Sequence, residues 1–190
     1  NTLILVCSDN GPAQGIGSAG PFKGYKTHLF EGGVRSSLVV WGPGLMDKKA
    51  LGTVNKASVF SAIDLVPSLL DLAGAPAPAT FDGENVSSVL LGKSKKSRKA
   101  PIFFRRPPDR KRFYGFDNLP DLAMRKGKWK LLCDYGGARP QLHDVEKDLG
   151  EERNIASKHP ELVDRMTKAI LAWNASMPTD AGDPARSIAD

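Results

Sequence analysis

An acidic residue and an amide stand side by side near the start of this chain, directly after an apolar run. Asp9 and Asn10 follow the segment Leu3-Ile4-Leu5-Val6-Cys7 and precede Gly11. Carboxylate and carboxamide oxygens are hard donors, which suit Ca²⁺ or Mg²⁺ better than a softer metal. Because open α/β folds place their ligands at the carboxyl ends of strands, the pair predicts a metal site at a sheet edge.

A lysine and a glycine-rich acidic motif follow this pair. Lys26 comes five positions before Glu31 in the segment Glu31-Gly32-Gly33-Val34-Arg35. An ammonium group beside the metal could bind the anion that the metal holds and stabilise charge on a departing ester oxygen. We expect an ion pair between Glu31 and Arg35 to support the Lys26 loop, with direct contact to a substrate as the alternative. The paired glycines would permit a tight backbone turn beneath the site.

Each of these residues also has an ordinary explanation. Asp-Asn-Gly is a common turn sequence, and the local pattern alone favours a turn at Asp9 and Asn10. Most lysines are simply solvated, and this applies to Lys26 when it is taken by itself. His28 titrates near neutral pH and could donate a proton, but we expect it at most to line a substrate pocket.

The elements that would position these residues fall into two patterns. Residues 2–7 and 37–41 are nearly continuous apolar runs, typical of strands buried on both faces of one parallel sheet. Residues 64–73 predict a helix with Asp64 as its cap and Gly74 as its stop. From residue 101 onward, strands are predicted at 102–104, 122–125, 129–132 and 141–144, in an antiparallel sheet.

A final helix is predicted from Pro160, which suits a first helical turn. Its apolar residues recur at the helical period and give one face to cover the sheet; they are Leu162, Val163, Met166, Ile170 and Trp173. No apolar run approaches the roughly 18 residues that cross a bilayer, so we expect no membrane partner. We interpret Cys7 and Cys133, the two cysteines, as buried free thiols.

Five groups of segments, in order, carry a resemblance to a known family. They are Ser8-Asp9-Asn10-Gly11-Pro12, Gly24-Tyr25-Lys26 with Glu31-Gly32-Gly33-Val34-Arg35, Trp41-Gly42-Pro43-Gly44, residues 63–74, and residues 123–132 with 141–148 and 152–156. Together they resemble the second half of an arylsulfatase-like sulfatase of the alkaline phosphatase superfamily. The resemblance runs from the first residue to about residue 178.

This resemblance implies an α/β fold class with two parts. Residues 1–98 would be the C-terminal portion of an alkaline phosphatase-like sheet sandwiched by helices, within the catalytic domain. Residues 99–178 would form a small antiparallel α+β subdomain whose sheet packs on the C-terminal helix, and residues 179–190 would be a loose tail.

The resemblance also implies roles for the residues singled out above, and it reverses the preference for a simple turn. Asp9 and Asn10 would bind Ca²⁺, and Lys26 would be catalytic and bind the sulfate group. His28 would be a further substrate-binding residue. Glu31, with Arg35 as its partner, would give structural support to the Lys26 loop.

The nucleophile of the family is missing from the sequence. It is a formylglycine made from the first residue of a Cys/Ser-x-Pro/Ala-x-Arg motif, and neither Cys7 nor Cys133 lies in such a motif. We therefore interpret the chain as a fragment of a sulfuric ester hydrolase that is inactive alone. Its partners would be a sulfate ester and the missing N-terminal half of the catalytic domain. The resemblance favours a periplasmic, secreted or lysosomal location.

Two alternative functions stay open. A phosphate or phosphonate ester hydrolase of the same superfamily is the first, although relatives acting on phosphodiesters commonly show Asp-His where this chain has Asp9 and Asn10. The second is a non-catalytic polyanion-binding module, because residues 93–112 hold ten lysines and arginines against one aspartate. This charge could steer a sulfated glycan, but two solvated loops are the favoured explanation. Nucleic-acid binding is disfavoured, because no recognised motif accompanies the aromatic residues at 113–116.

Overall fold

The computed structural model describes residues 2–106 and 118–178. Its helices are α1 (Glu31–Val34), α2 (Leu65–Leu72), α3 (Ser87–Leu90) and α4 (Pro160–Ser176), and its strands are β1 (Ile4–Cys7), β2 (Leu38–Trp41), β3 (Ile102–Arg105), β4 (Leu122–Lys126), β5 (Trp129–Cys133) and β6 (Gln141–Asp144). The predicted tail at 179–190 and residues 107–117 of the basic and aromatic stretch lie outside the described residues.

The described chain divides into two compact units. The first unit groups the residues up to Ser8 with Ser37–Ile102, and the second unit groups Asp9–Ser36 with the described residues from Phe103 onward. The predicted domain division at residues 98 and 99 stays a prediction. No helix in the described ranges combines the length and the apolar character needed to span a membrane.

The first unit contains a two-stranded sheet of β1 and β2. The strands are antiparallel, with Ile4 opposite Trp41 and Cys7 opposite Leu38, so the prediction of a parallel pair is wrong. An apolar run reports a tendency to be buried but not the direction of the neighbouring strand, which explains the error. Burial on both faces is also not found in the described chain, where Trp41 is 55% exposed and Cys7 is an exposed free thiol.

A buried carboxylate, that of Asp64, joins three segments of the first unit by hydrogen bonds. Asp64 ends a single 3₁₀ turn, Ala62–Asp64, and its side chain does not cap α2 as predicted. Its carboxylate accepts hydrogen bonds from the backbone N–H groups of Ser61 and Glu84, both at 2.7 Å, and from Arg98 Nη1 at 2.6 Å. The helical turn begins earlier, at Ser61, so Asp64 occupies the third helical position and bonds back to the cap. We call Asp64, Glu84 and Arg98 the Asp64 cluster.

The second unit is built on a four-stranded sheet in the order β3-β4-β5-β6. The pairs β4–β5 and β5–β6 are antiparallel, which confirms that part of the prediction. Strands β4 and β5 form a hairpin around Gly127, whose φ of 58° is a left-handed conformation that glycine adopts without strain. Burial raises the pKa of the Cys133 thiol on β5 to about 11, so this free cysteine stays protonated at neutral pH.

Helix α4 covers this sheet with the apolar face predicted from its period. It starts at Pro160, and its residues Met166 and Ile170 are buried in the core, while Trp173 packs against the core and stacks on Phe103 at a centroid distance of 5.0 Å. One hydrophobic core cluster consists of Leu122, Met124, Leu131, Cys133, Leu142, Met166 and Ile170. The structure therefore confirms a small antiparallel sheet packed on a C-terminal helix.

Candidate functional site

Backbone hydrogen bonds join the three segments that carry the predicted site residues. The N–H of Gly11 donates to the Gly33 carbonyl at 2.9 Å, which ties the segment after Asp9 and Asn10 to α1. The N–H of Lys26 donates to the Pro12 carbonyl, also at 2.9 Å. The main chains of the Asp9 loop, the Lys26 loop and α1 thus lie against one another in the second unit.

Two glycines make this close approach possible. A Cβ atom added to Gly11 would collide with the carbonyl oxygen of Gly32. A Cβ atom added to Gly32 would in turn collide with the backbone of Lys23, whose carbonyl accepts the Gly32 N–H at 2.7 Å. Gly11 and Gly32 are therefore required because a side chain at either position would prevent the neighbouring backbones from coming this close.

The predicted metal ligands offer part of a coordination shell. Asp9 is exposed and Asn10 is half-buried, and the two are adjacent in sequence. Within the described ranges, no group of three or more histidine, cysteine, aspartate or glutamate side chains is placed to hold a metal ion. Because Ca²⁺ takes about six to eight oxygen ligands, this donor set fits one side of a calcium site and not a whole one. Metal ligation by Asp9 and Asn10 stays a prediction.

His28 lies among aromatic and basic neighbours. Its ring centroid is 5.4 Å from that of Tyr25 and 6.4 Å from that of Phe30. Burial, together with the positive charges of Arg106 and Lys23, lowers the pKa of His28, so the imidazole is neutral at neutral pH. A neutral ring of this kind can exchange hydrogen bonds with a ligand, and its predicted place in a substrate pocket stays untested.

The carboxylate of Glu31 is wholly buried and is surrounded by cations. Lys130 Nζ lies 3.0 Å from Oε1, and Arg125 Nη1 lies 2.7 Å from Oε2. The predicted ion pair with Arg35 is present, at 3.5 Å, and is the longest of the three. Burial acts to raise the pKa of Glu31, but the charges of Lys130 and Arg125 bring it below its usual value. Glu31 is therefore held ionised.

Sequence reasoning missed three residues that contact Glu31, which are Arg125 on β4, Lys130 and Glu151. The side chain of Lys130, on β5, is 0% exposed, and its Nζ lies 3.2 Å from Glu151 Oε1 as well as beside Glu31. The other oxygen of Glu151 accepts the backbone N–H of Glu31. Burial raises the pKa of Glu151 despite the nearby ammonium. We call Glu31, Arg125, Lys130 and Glu151 the Glu31 cluster.

One signal in the sequence could have found Lys130. It interrupts the otherwise apolar stretch Trp129–Cys133, and a lysine inside a buried strand requires a carboxylate partner. Nothing comparable marks Glu151, which lies in the loop after β6 with a φ of 48°.

Comparisons with known proteins agree on one family. The family model described as N-sulphoglucosamine sulphohydrolase, C-terminal, matches residues 20–175. Arylsulfatase K of Mus musculus is 30% identical over 178 residues, which cover 90% of this chain and 30% of that protein. Arylsulfatase A of Homo sapiens is 30% identical over 226 residues, which cover 98% of this chain and 42% of that protein. The chain thus spans less than half the length of these relatives.

Solved structures share the fold. Ps i-CgsB in complex with k-i-k-neocarrahexaose aligns with a TM-score of 0.73 and 25% identity, over 91% of this chain and 36% of that one. A phosphonate monoester hydrolase from Silicibacter pomeroyi aligns with a TM-score of 0.54 and 22% identity, over 79% of this chain and 31% of that one. The second likeness shows the fold alone.

Proposed function

Because this chain belongs to the family described as N-sulphoglucosamine sulphohydrolase, C-terminal, we propose that it is part of a sulfatase that hydrolyses a sulfate ester. The observation that carries the proposal is the family match over residues 20–175, which includes Lys26 and α1. The main-chain contacts between Gly11 and Gly33 and between Pro12 and Lys26 support it, because they gather the candidate residues in one region.

In this proposal Asp9 and Asn10 hold Ca²⁺, and Lys26 binds the sulfate group. The bound Ca²⁺ would supply positive charge that draws electron density from the sulfate oxygens. The ammonium group of Lys26 contacts a sulfate oxygen and stabilises negative charge on the ester oxygen as the alcohol leaves. His28, neutral at neutral pH, lines the substrate pocket, and Glu31 fixes the backbone beneath Lys26.

The isolated chain is proposed to have little or no turnover. Asp9 and Asn10 offer two ligands to an ion that takes about six to eight, and neither Cys7 nor Cys133 lies in a formylglycine motif. The remaining ligands and the nucleophile would come from the other part of the catalytic domain. Robust sulfatase activity of the purified 190 residues would refute this part of the proposal.

We propose a sulfated glycan as the substrate class. The support is the structure at 25% identity that is described in complex with k-i-k-neocarrahexaose. The basic segment at 93–112 supports it less than its composition suggests, because two of its cations, Arg98 and Arg106, have buried side chains. Arg98 is paired with Asp64 and does not contribute to a surface for polyanions.

A phosphate or phosphonate ester hydrolase is the second candidate, since one neighbour with the same fold has phosphonate monoester hydrolase activity in its name. The arylsulfatase relatives at 30% identity favour sulfate. Assays of the full-length protein with matched aryl sulfate, aryl phosphate and phenyl phosphonate esters separate the two. We expect kcat/KM to be highest for the sulfate, and a higher value for either phosphorus ester would overturn the assignment.

The role of Lys26 is tested in the same assay. We expect Lys26→Ala to lower kcat for aryl sulfate by about 10²-fold, the usual cost of removing one group that stabilises developing charge. Lys56→Ala is the matched control, because Lys56 is an exposed lysine of the first unit. Equal activity of the two variants would remove Lys26 from the site.

A further inference from the structure

Lys130 and Glu151 have no assigned role, yet both are wholly buried against the first residue of α1. Lys130 Nζ lies 3.0 Å from Glu31 Oε1 and 3.2 Å from Glu151 Oε1. Glu151 Oε2 accepts the Glu31 N–H, an orphan donor of the first helical turn. One ammonium and one carboxylate thus fix both the side chain and the main chain of Glu31.

Glu151 also contacts the segment that leads to Lys26. Its carbonyl oxygen accepts a hydrogen bond from Lys23 Nζ at 3.3 Å, and this ammonium lies 4.3 Å from the centroid of the Phe30 ring. Glu151 has a φ of 48°, a conformation that residues other than glycine keep only where their surroundings enforce it. The loop after β6 therefore contacts both ends of the segment from Lys23 to Glu31, through the carbonyl and the carboxyl group of Glu151.

The main chain carries this restraint to the candidate ligands. Glycines of α1 bond directly to the segments on either side, through Gly33 to Gly11 and through Gly32 to Lys23. Lys26 then bonds to Pro12 by its own N–H. A shift of α1 must move the Asp9 loop and the Lys26 loop together or break these bonds.

We propose that Lys130 and Glu151 are positioning residues for the sulfate site, acting through Glu31 and α1. The proposal rests on the proposed function of Asp9, Asn10 and Lys26. Charged contacts are stronger in a low-dielectric interior than in water, so the ion pairs of Lys130 with Glu31 and Glu151 hold α1 in place. A misplacement of about 1 Å can cost about 10²-fold in rate. The buried charges of the Glu31 cluster thus set where the ammonium of Lys26 meets the substrate.

The test compares two buried cations in the full-length protein. Lys130→Met removes the ammonium from the Glu31 cluster, and Arg98→Met, the matched control, removes a buried guanidinium from the Asp64 cluster of the first unit. Activity on aryl sulfate is measured at a temperature where circular dichroism shows both variants to be folded. We expect kcat to fall by about 10²-fold for Lys130→Met, with a smaller change in KM, and both constants to stay within twofold for Arg98→Met.

A second pair of variants keeps the proposal testable if Lys130→Met does not fold. Glu151→Gln retains an oxygen acceptor for the Glu31 N–H, whereas Glu151→Met, of similar size, does not. We expect Glu151→Gln to keep kcat within about threefold and Glu151→Met to lose about tenfold. Equal kcat in these two variants, or in folded Lys130→Met and Arg98→Met, would overturn the positioning role.

Lys26→Ala separates this inference from the proposed function. If Lys26→Ala loses activity and folded Lys130→Met keeps full activity, the positioning role is refuted and the proposed sulfate site is retained. Full activity in Lys26→Ala would sink the sulfate site, and the positioning role would fall with it.

Discussion

The Asp64 cluster of the first unit and the Glu31 cluster of the second unit hold their buried charges in different ways. In the Asp64 cluster a single wholly buried carboxylate meets one guanidinium at 2.6 Å and two backbone N–H donors, from Ser61 and Glu84. In the Glu31 cluster two wholly buried carboxylates, of Glu31 and Glu151, share the ammonium of Lys130. The partners of Asp64 lie within 34 positions of it in the sequence, whereas Lys130 and Glu151 lie 99 and 120 positions from Glu31.

The pKa values of the two carboxylates shift in opposite directions. Lys130 and Arg125 lower the pKa of Glu31, while burial raises the pKa of Glu151. Such a pair costs more to assemble than one ion pair, because each buried charge loses its hydration. The Glu31 cluster lies where α1 meets the candidate site segments, whereas the bonds of Asp64 join it to Ser61, Glu84 and Arg98 within the first unit. The positioning proposal therefore predicts that loss of charge in the Glu31 cluster lowers both activity and stability, whereas loss of charge in the Asp64 cluster lowers stability alone.

The largest effect should come from the ammonium that two carboxylates share. We expect Lys130→Met to lower the free energy of unfolding by about 3–5 kcal/mol. Glu31 keeps Arg125 and Arg35, but the buried carboxyl of Glu151 loses the ammonium that lies 3.2 Å from its Oε1. Arg98→Met should cost less, since Asp64 keeps its two backbone donors. Chemical denaturation of the two full-length variants measures the order. A larger loss of stability for Arg98→Met would contradict this order and show that the protein depends more on the cation of the Asp64 cluster.

Within the Glu31 cluster the two carboxylates should respond differently to neutralisation at pH 7. Glu31→Gln removes the charge that Lys130 and Arg125 pair with, and we expect a loss of about 1.5–3 kcal/mol in the free energy of unfolding. Glu151→Gln resembles the protonated acid that burial favours, and we expect a smaller loss, of about 1 kcal/mol or less. Matched denaturation curves decide, and equal losses would mean that both groups are ionised alike.

The pH dependence of the same variants should have opposite signs. A lowered pKa in the folded state makes the contribution of Glu31 present above its unfolded pKa and lost as the pH falls through its folded pKa. A raised pKa makes the contribution of Glu151 present below its unfolded pKa and lost as the pH rises through its folded pKa. The deficit of Glu31→Gln should therefore shrink on acidification and that of Glu151→Gln should grow. If the stability deficits of both variants changed in the same direction as the pH falls, the proposed difference between Glu31 and Glu151 would be refuted.

The smallest effect should come from an ion pair on the surface. Lys168 Nζ and Asp164 Oδ2 lie 2.8 Å apart on α4, with side chains 76% and 62% exposed. Solvent and salt screen such a pair, so Lys168→Ala should change the free energy of unfolding by about 0.5 kcal/mol or less. Lys168→Ala is the reference for the variants of the two buried clusters. If it lowered the free energy of unfolding as much as Arg98→Met does, burial would not determine the size of these losses.

The elements that the sequence predicted correctly are those whose signal is local. Strands β4, β5 and β6 and helix α4 each show their own period and turn residues within a short window, and their pairing into an antiparallel sheet follows from hairpins. The pair Glu31 and Arg35 was accessible in the same way, because four positions on a helical turn bring side chains together. The direction of β1 relative to β2 could not be predicted in this way, because an apolar run is compatible with both parallel and antiparallel pairing.

The partners of Glu31 could not be predicted, because they come from far along the chain. Lys130 is 99 positions and Glu151 is 120 positions from Glu31. Only the folding of the sheet brings them to α1, and no short-range rule connects a lysine in a strand with a particular glutamate in a loop. The ligand pair Asp9 and Asn10 was found by residue type, and its metal stays a prediction.

Asp9 is proposed to belong to a calcium site, and a titration of the full-length protein with Ca²⁺ measures this binding. Isothermal titration calorimetry would compare the parent protein, after chelation and dialysis, with Asp9→Ala and with Asp82→Ala, an exposed aspartate of the first unit. We expect the affinity for Ca²⁺ to fall at least tenfold in Asp9→Ala, because one charged ligand is lost, and to be unchanged in Asp82→Ala. Parent-like affinity in Asp9→Ala would contradict the account.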